Sequence, residues 1–532
     1  MEKGTTKRAD ISKIVSDYYS KSIEGHISFG TSGHRGTSRN GTFNDIHIAS
    51  ISQAVCDHRK ANRVIGPLFL GYDTHALSKP AFKTALEVFA ANDVEVVIHQ
   101  NSEFTPTPVI SFMILEHNRH HQNRQADGVI LTPSHNPPEY GGFKYNPPDG
   151  GPADVQITDM IQKKANHLLR AKNPGIKRIS YEKALKSNDT YEKDLIAPFV
   201  DSLHKVVDTD IIRDAKIKIG IDPMGGAGVH FWEPIADKYG FDINVINTQT
   251  DYTFSFMPKD HDGKIRMDCS SPHAMANLVK LAQNFDIAWG NDPDFDRHGI
   301  VCPSGLMNPN HYLSVAIWYL LQNRSLWKTN LRVGKTLVSS SMIDKIVNGM
   351  GRKLFETPVG FKWFVKGLLN GTVAFCGEES AGATFLKKDG TTWTTDKDGF
   401  SLTLLAAEIL AKTGMTPAEI YDDLLIPHYG SPYYKRVDGP ITDTQKSRLL
   451  NMTPESIKAN SLAGLSINNI CTHAAGNSAP IGGVKVSLSD ESWFAIRPSG
   501  TEPKMKFYIE SFGGEERWQK IHDEALNLIF KT

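Results

Sequence analysis

Short apolar runs alternate along the chain with stretches of helical periodicity, and most of the runs stop abruptly in polar loops. Leu68 to Asp73 and Val94 to Ile98 read as strands on either side of a helix over Lys79 to Asn92, the spacing of a βαβ unit. Gly128-Val129-Ile130-Leu131 adds a strand to the same layer. Further strands are expected at Lys216 to Asp222, Phe285 to Gly290, Leu337 to Ser340, Thr372 to Phe375 and Trp493 to Ile496. Residues 1–29 read as polar and helical, and the polar stretch from Pro148 to about residue 190 as helical pieces. The helical pattern breaks at Ile426 to Pro432, which places a last linker before a small C-terminal domain. That domain ends in an amphipathic helix, Glu515 to Phe530, with Trp518, Ile521, Ala525, Leu526 and Leu528 on its apolar face.

Composition narrows the class. A chain of 532 residues predicts roughly three to five domains. With 40% hydrophobic and 22% charged residues it reads as ordinary globular protein. Its 59 Lys plus Arg balance 59 Asp plus Glu, so no net field favours nucleic acid or an anionic membrane. The longest apolar run in a helical pattern, Val315 to Leu321, falls far short of the ~20 residues that span a bilayer. The polar N-terminus lacks a signal-peptide core, and the five scattered cysteines form no C-x-x-C pair. Together these predict a cytoplasmic location.

The loops carry the chemistry. After Leu131, Thr132-Pro133-Ser134-His135-Asn136-Pro137-Pro138 holds Ser134 on a proline-stiffened turn at the carboxyl end of a strand, where α/β sheets place ligands. After Gly290, Asn291-Asp292-Pro293-Asp294-Phe295-Asp296-Arg297 is expected to set three carboxylates on one side of an extended segment, Pro293 and Phe295 facing the other. Like charges so bunched call for a cation, and an all-oxygen donor set suits Mg²⁺ above Mn²⁺ or Ca²⁺. After Phe375, Cys376-Gly377-Glu378-Glu379-Ser380-Ala381-Gly382 offers carboxylates and a hydroxyl to vicinal sugar hydroxyls. After Ile496, Arg497-Pro498-Ser499-Gly500-Thr501-Glu502-Pro503-Lys504 joins a guanidinium fork to hydroxyls and glycine amides, a phosphate cradle. Gly30 to Gly36 reads as a flexible loop able to face an anion, with Thr31, Ser32 and Arg35 between its glycines. Lys362 sits on a turn before a helix, available to another anion.

Several familiar motifs fail on their own terms. A G-x-S-x-G elbow would need glycine at His34, and a dinucleotide fingerprint at Gly226-Ala227-Gly228 ends on Phe231. The P-loop ending Gly334-Lys335-Thr336 lacks its leading glycine, and an EF-hand would need glycine at Arg297 and glutamate at Pro303. A serine, a divalent-cation site, a polyol site and a phosphate clamp, three of them directly behind related strands, instead spell phosphoryl transfer on a phosphosugar.

The strings GVILTPSHNPP, NDPDFDRHGIV, CGEESAG and RPSGTEPK, in that order, resemble the signature loops of the α-D-phosphohexomutases. The resemblance implies three related α/β domains and a smaller α+β C-terminal domain around a central cleft, divided at 1–205, 206–318, 319–430 and 431–532. It implies a phosphoserine at Ser134 and a metal held by Asp292, Asp294, Asp296 and an oxygen of that phosphoserine. Glu378 and Ser380 would take the sugar, and Arg497, Ser499, Gly500 and Thr501 its phosphate. Thr31, Ser32, Arg297 and Lys362 complete the substrate-binding candidates. GEESAG is similar to the glucose-selective branch, where mannose- and glucosamine-accepting members usually carry another residue at Glu379. Pro293 and Phe295 depart from the small residues that many relatives place between the metal aspartates.

The expected activity is therefore interconversion of glucose 1-phosphate and glucose 6-phosphate through glucose 1,6-bisphosphate, with Mg²⁺ as cofactor, by a monomer or homodimer. Lys144, His135 and Arg35 are the candidates to move the proton. Alternatives are mannose or glucosamine phosphates as substrates, a metal-dependent phosphatase, or a non-catalytic scaffold. A phosphatase has no use for a remote phosphate clamp, and a scaffold would have lost at least one loop.

Overall fold

The computed structural model of the protein describes residues 8–30, 32–171, 175–499 and 504–530. The first sheet contains β1 (Phe29–Gly30), β2 (Gly33–Thr37), β3 (Leu68–Tyr72), β4 (Val96–His99), β5 (Asp127–Leu131), β6 (Tyr140–Asn146) and β7 (Thr190–Lys193). Their order is β1-β2-β6-β5-β3-β4-β7, with β5, β3, β4 and β7 parallel and the β1–β2–β6 edge antiparallel. The central strands read as near-continuous apolar runs because both faces are covered, as parallel sheets require. Leu68, Leu70, Val96, Ile98, Val129 and Leu131 pack under the helices Asp45–Ala61, Ser78–Ala91 and Val155–Arg170. Phe69, Val97 and Ile130 point the other way, onto the helix Thr107–His120. This second face belongs to a core that continues through the next two layers, from Ile219 and Trp289 to Phe375 and Phe400.

Those layers repeat the plan. β8 (Lys218–Asp222), β9 (Asp242–Val245), β10 (Ile287–Gly290), β11 (Gly299–Cys302) and β12 (Gly305–Leu306) are ordered β12-β11-β10-β8-β9. β13 (Arg332–Thr336), β14 (Lys353–Thr357), β15 (Val373–Glu378) and β16 (Gly382–Phe385) are ordered β14-β13-β15-β16. In each of the three sheets a parallel strand turns back into an antiparallel neighbour: β5 into β6, β10 into β11, β15 into β16. The three turns are the Ser134, Asp292–Asp296 and Glu379–Ala381 loops.

The last domain is antiparallel: β17 (Tyr433–Pro440), β18 (Ser461–Leu462), β19 (Leu465–His473), β20 (Pro480–Leu488), β21 (Trp493–Pro498) and β22 (Lys504–Ser511), ordered β17-β22-β21-β20-β19-β18. One face packs against the helices Asp443–Leu450 and Gly514–Phe530. The other meets the third layer through Trp493, Ala495 and Tyr508 against Leu337 and Val338. Glu510 crosses the same junction to accept from Ser341 N at 2.8 Å, and Lys485 Nζ donates to Glu356 at 2.8 Å.

Two local expectations change. Gly33 to Gly36 is not loop but strand: β2 pairs antiparallel with Phe29 and Gly30 of β1, and Arg35 pairs with Gly142 on β6. The strand expected at Leu337 to Ser340 lies earlier, at Arg332–Thr336. Leu337 and Val338 are apolar because they dock the C-terminal domain rather than because they extend the sheet. Among the described residues no helix is long and apolar enough to cross a membrane.

Candidate active site

Ser134 is buried and its backbone is left-handed, with φ of 60°. Non-glycine residues seldom adopt that region, and where they do the surroundings must hold them there. Thr132 N donates to Gly142 O at 2.9 Å, and Ser134 N donates to Thr132 Oγ1 at 2.8 Å. Ser134 Oγ then donates to Asp292 Oδ2 at 2.7 Å, with His135 Nδ1 3.4 Å away. The hairpin return supplies Lys144 on β6, whose Nζ donates to Asp294 Oδ2 at 2.6 Å and Asp296 Oδ2 at 2.9 Å.

The three aspartates converge, but by a turn rather than by extended alternation. Phe295 has φ of 60°, its N–H bonds back to Asp292 O at 2.9 Å, and its buried ring stacks on Phe400 at 4.7 Å. The residue that departs from the small spacers of many relatives thus anchors the loop in the core. Neighbours from each α/β layer hold the rest. Thr107, at the start of its helix, donates from N to Asp294 O at 2.9 Å and from Oγ1 to Asp294 Oδ2 at 2.7 Å. Ala227 N reaches Pro293 O at 2.8 Å, and Gly399 N reaches Phe295 O at 2.9 Å. Lys397 Nζ, 2.9 Å from Asp296 Oδ2, is aimed by a segment tied to the first domain, where Asn146 Nδ2 donates to Asp396 Oδ2 at 3.0 Å.

This set fits a hard cation. One carboxylate oxygen from each aspartate lies within 4.8 Å of the others, and Asp294 Oδ1 and Asp296 Oδ1 are buried without a hydrogen-bond donor. Burial and the two neighbouring carboxylates push the Asp292 pKa well up. Burial pushes Asp296 up as well, but Lys144 and Lys397 outweigh it and hold that carboxylate well below its ordinary range. The charges of Lys144, Lys397, Arg297 and Arg35 around the triad keep the cluster tolerable.

A cavity of about 370 Å³ opens in front, within the size range of small-molecule sites. Of the residues singled out in the sequence, Ser32, His135, Lys144, Asp296, Arg297, Glu378, Ser380 and Arg497 line it. Ser134, Asp292 and Asp294 are not among the lining residues: Asp294 accepts from Lys144, and Ser134 donates to Asp292 of the same acidic triad. Arg35 reaches Ser32 Oγ at 3.0 Å. Lys362 is not among the lining residues; its ammonium interacts with Asp154 and Asp159 of the first domain. Ser499 is buried just past β21, its N–H on Lys504 O at 2.7 Å. Thr31, Gly500 and Thr501 lie outside the described residues. Glu378 closes β15 and accepts from Gly360 N at 3.1 Å, and burial pushes its carboxyl up to about 7. Glu379 Oε2 accepts from Thr336 Oγ1 at 2.9 Å.

Sequence reasoning missed three groups. Tyr434 and Arg436 on β17 and Lys506 and Tyr508 on β22 share one sheet face with the expected Arg497 on β21, because Arg436 pairs with Tyr508 and Arg497 with Lys506. All five line the cavity, so its cationic wall is a sheet face rather than a single loop. Asp268 lines it too; its Oδ1 accepts from Ser270 Oγ at 2.7 Å, and its neighbour Met267 donates from N to His135 O at 3.3 Å. Lys397 is the third, and its signal was legible: a charged TDKD segment directly ahead of a strongly apolar helix, Gly399–Thr413.

Three hairpin-bearing α/β layers and a cationic sheet, closing on one polar cavity beside an oxygen-lined cation site, are the build of an enzyme that moves phosphoryl groups on sugars. Sequence models of the phosphoglucomutase/phosphomannomutase family match the chain layer by layer: α/β/α domain I over residues 26–171, domain II over 197–305, domain III over 308–427 and the C-terminal domain over 456–528. The chain belongs to this family. A phosphoglucomutase of Komagataeibacter xylinus is 54% identical over 526 residues, 98% of this chain and 94% of its own. The open form of pp63/parafusin (phosphoglucomutase) from Paramecium superposes with a TM-score of 0.75 at 21% identity, over 96% of this chain and 95% of that one. N-acetylphosphoglucosamine mutase of Aspergillus fumigatus, in complex with GlcNAc-6P and magnesium, gives a TM-score of 0.57 at 14% identity, over 99% of each chain. These two likenesses are of fold.

Proposed function

We propose that this chain interconverts glucose 1-phosphate and glucose 6-phosphate, carrying the travelling phosphoryl group on Ser134. The observation that carries this reading is the Ser134 Oγ contact with Asp292, 2.7 Å, at the head of the acidic triad whose Asp296 lines the cavity. The 54% identical relative named phosphoglucomutase supports the substrate. Phosphorylated Ser134 gives its group to the free hydroxyl of the bound sugar monophosphate: the sugar oxygen bonds phosphorus, the P–Oγ bond breaks and Oγ regains a proton. The product, glucose 1,6-bisphosphate, turns over in the cleft, and its other phosphate returns to Ser134.

Asp292, Asp294 and Asp296 would hold Mg²⁺ together with an oxygen of the phosphorylated serine. That ion would supply fixed positive charge to a phosphoryl group in flight. Arg35 and Arg297 add to the same field, and Lys144 balances the triad. Of the three candidates to move the proton, His135 has a ring nitrogen 3.4 Å from Oγ, whereas Lys144 Nζ is committed to two carboxylates. Glu378 and Ser380 receive the sugar hydroxyls, and Arg497 with Arg436 and Lys506 holds the phosphate that does not react. Closure of the cleft over the sugar would exclude water, which would otherwise turn transfer into hydrolysis.

A coupled assay across glucose 1-phosphate, mannose 1-phosphate and glucosamine 1-phosphate is expected to favour glucose. Ser134→Ala should abolish turnover while divalent-cation binding persists. Substantial mutase activity in that variant would remove Ser134 from the reaction.

A further inference from the structure

The parallel pairing of β3 with β5 puts Tyr72 opposite Leu131, so the residues just past both strand ends, Asp73 and Thr132, lie side by side. Asp73 is fully buried and its carboxylate is saturated. Oδ2 accepts from Thr132 Oγ1 at 2.5 Å and from His75 Nδ1 at 2.9 Å. Oδ1 accepts from Ser78 Oγ at 2.5 Å and from His75 N at 3.0 Å. Two arms leave this carboxylate towards the Ser134 turn. Through Thr132 Oγ1 it reaches the amide of Ser134 itself, 2.8 Å on. Through the His75 ring it reaches the far side of the turn, where Nε2 donates to Asn136 O at 2.8 Å. None of these side chains lines the cavity.

We propose that Asp73, His75 and Thr132 are positioning residues for phosphoryl transfer, gripping the chain two residues before and two residues after Ser134. The grip maintains the left-handed backbone of Ser134 and with it the direction of Oγ towards Asp292. A turn held at one end only lets Oγ drift, and a displacement of about 1 Å at a reacting atom costs on the order of a hundredfold in rate. The inference rests on Ser134 as the phosphoryl carrier.

Thr132→Val keeps the shape and removes the hydroxyl relay; Thr132→Ser keeps the relay. His75→Phe removes the second arm, and His75→Gln restores one donor. Steady-state kinetics with glucose 1-phosphate, and the rate at which glucose 1,6-bisphosphate phosphorylates Ser134, should both fall roughly 10- to 100-fold in Thr132→Val and His75→Phe. KM should stay within about twofold, and Thr132→Ser should recover most of the rate. Wild-type kcat in Thr132→Val, a loss confined to KM, or Thr132→Ser no better than valine would each overturn the proposal. Should Thr132→Val not fold, as read by thermal unfolding, the same kcat and KM split on His75→Phe decides, with recovery in His75→Gln as its rescue. Ser134→Ala run in parallel separates the two ideas: turnover there defeats the carrier assignment, whereas a dead Ser134→Ala beside a fully active Thr132→Val defeats only the grip.

Discussion

Glu378 joins an unusual ionisation to the sugar-binding role proposed for it. Burial raises its carboxyl from the ordinary 4.5 to about 7, with Glu379 adding to the rise and Lys397 opposing it. To accept from two sugar hydroxyls the carboxylate should be ionised, so the free enzyme loses its best acceptor as pH falls through about 7. KM for glucose 1-phosphate should therefore climb below that point, by up to about tenfold per pH unit, and Glu378→Gln should flatten the climb while raising KM at pH 8. The stability sign is the reverse. A folded pKa above the unfolded one means that the contribution of Glu378 to stability is full below about 4.5 and is lost as pH rises through about 7. Parallel pH profiles of KM and of the unfolding midpoint, wild type against Glu378→Gln, check both. A pH-independent difference in KM would mean that the carboxylate does not titrate there.

The elements were legible where periodicity and chemistry agreed, as at β3, β5, β10 and β15, each a short apolar run delivering a polar loop. They were misread where an apolar residue answers to a neighbouring domain, as at Leu337 and Val338, or where glycines serve pairing rather than freedom, as at Gly33 to Gly36. The same distinction explains Gly399. It heads the helix Gly399–Thr413, and a Cβ there would lie 2.5 Å from Arg297 O, 2.6 Å from Asn291 Nδ2 and 2.9 Å from Phe295 O. Glycine is needed at this helix start because the acidic loop lies directly against it. Gly399→Ala should destabilise the protein by about 1–3 kcal/mol, the usual cost of overpacking. It should also weaken divalent-cation binding by shifting the loop that carries Asp296. Thermal unfolding with and without the cation measures both: a lower midpoint and a smaller cation-induced rise are expected. An unaltered cation-induced rise would separate helix packing from the metal loop.

At the scale of the molecule, the four loops announced a phosphosugar site, but the sequence named only one arm of its anion clamp. Arg436, Arg497 and Lys506 become neighbours through the register of β17, β22 and β21, which brings residues separated by long stretches of chain onto one face; no local spacing encodes that. Asp268 was hidden for a related reason, since it reaches the cavity on an irregular segment fixed by a backbone bond to His135. The assembled face has a consequence for catalysis. Burial lowers the Lys506 ammonium pKa, and Arg436 and Arg497 lower it further against the opposing pull of Asp438 and Glu379, so the face stays cationic even though Arg436 pairs with Asp438 at 3.0 Å. In the proposed reaction the idle phosphate is seated here in both poses of the sugar. Lys506→Met keeps the length of the side chain and removes one charge-assisted bond, worth about 1.5–3 kcal/mol. KM for glucose 1-phosphate and for glucose 6-phosphate should then rise together, by roughly 10- to 100-fold, with kcat changed far less. If only one substrate suffers, the two poses do not share this clamp, and the bisphosphate must turn over between different anion sites.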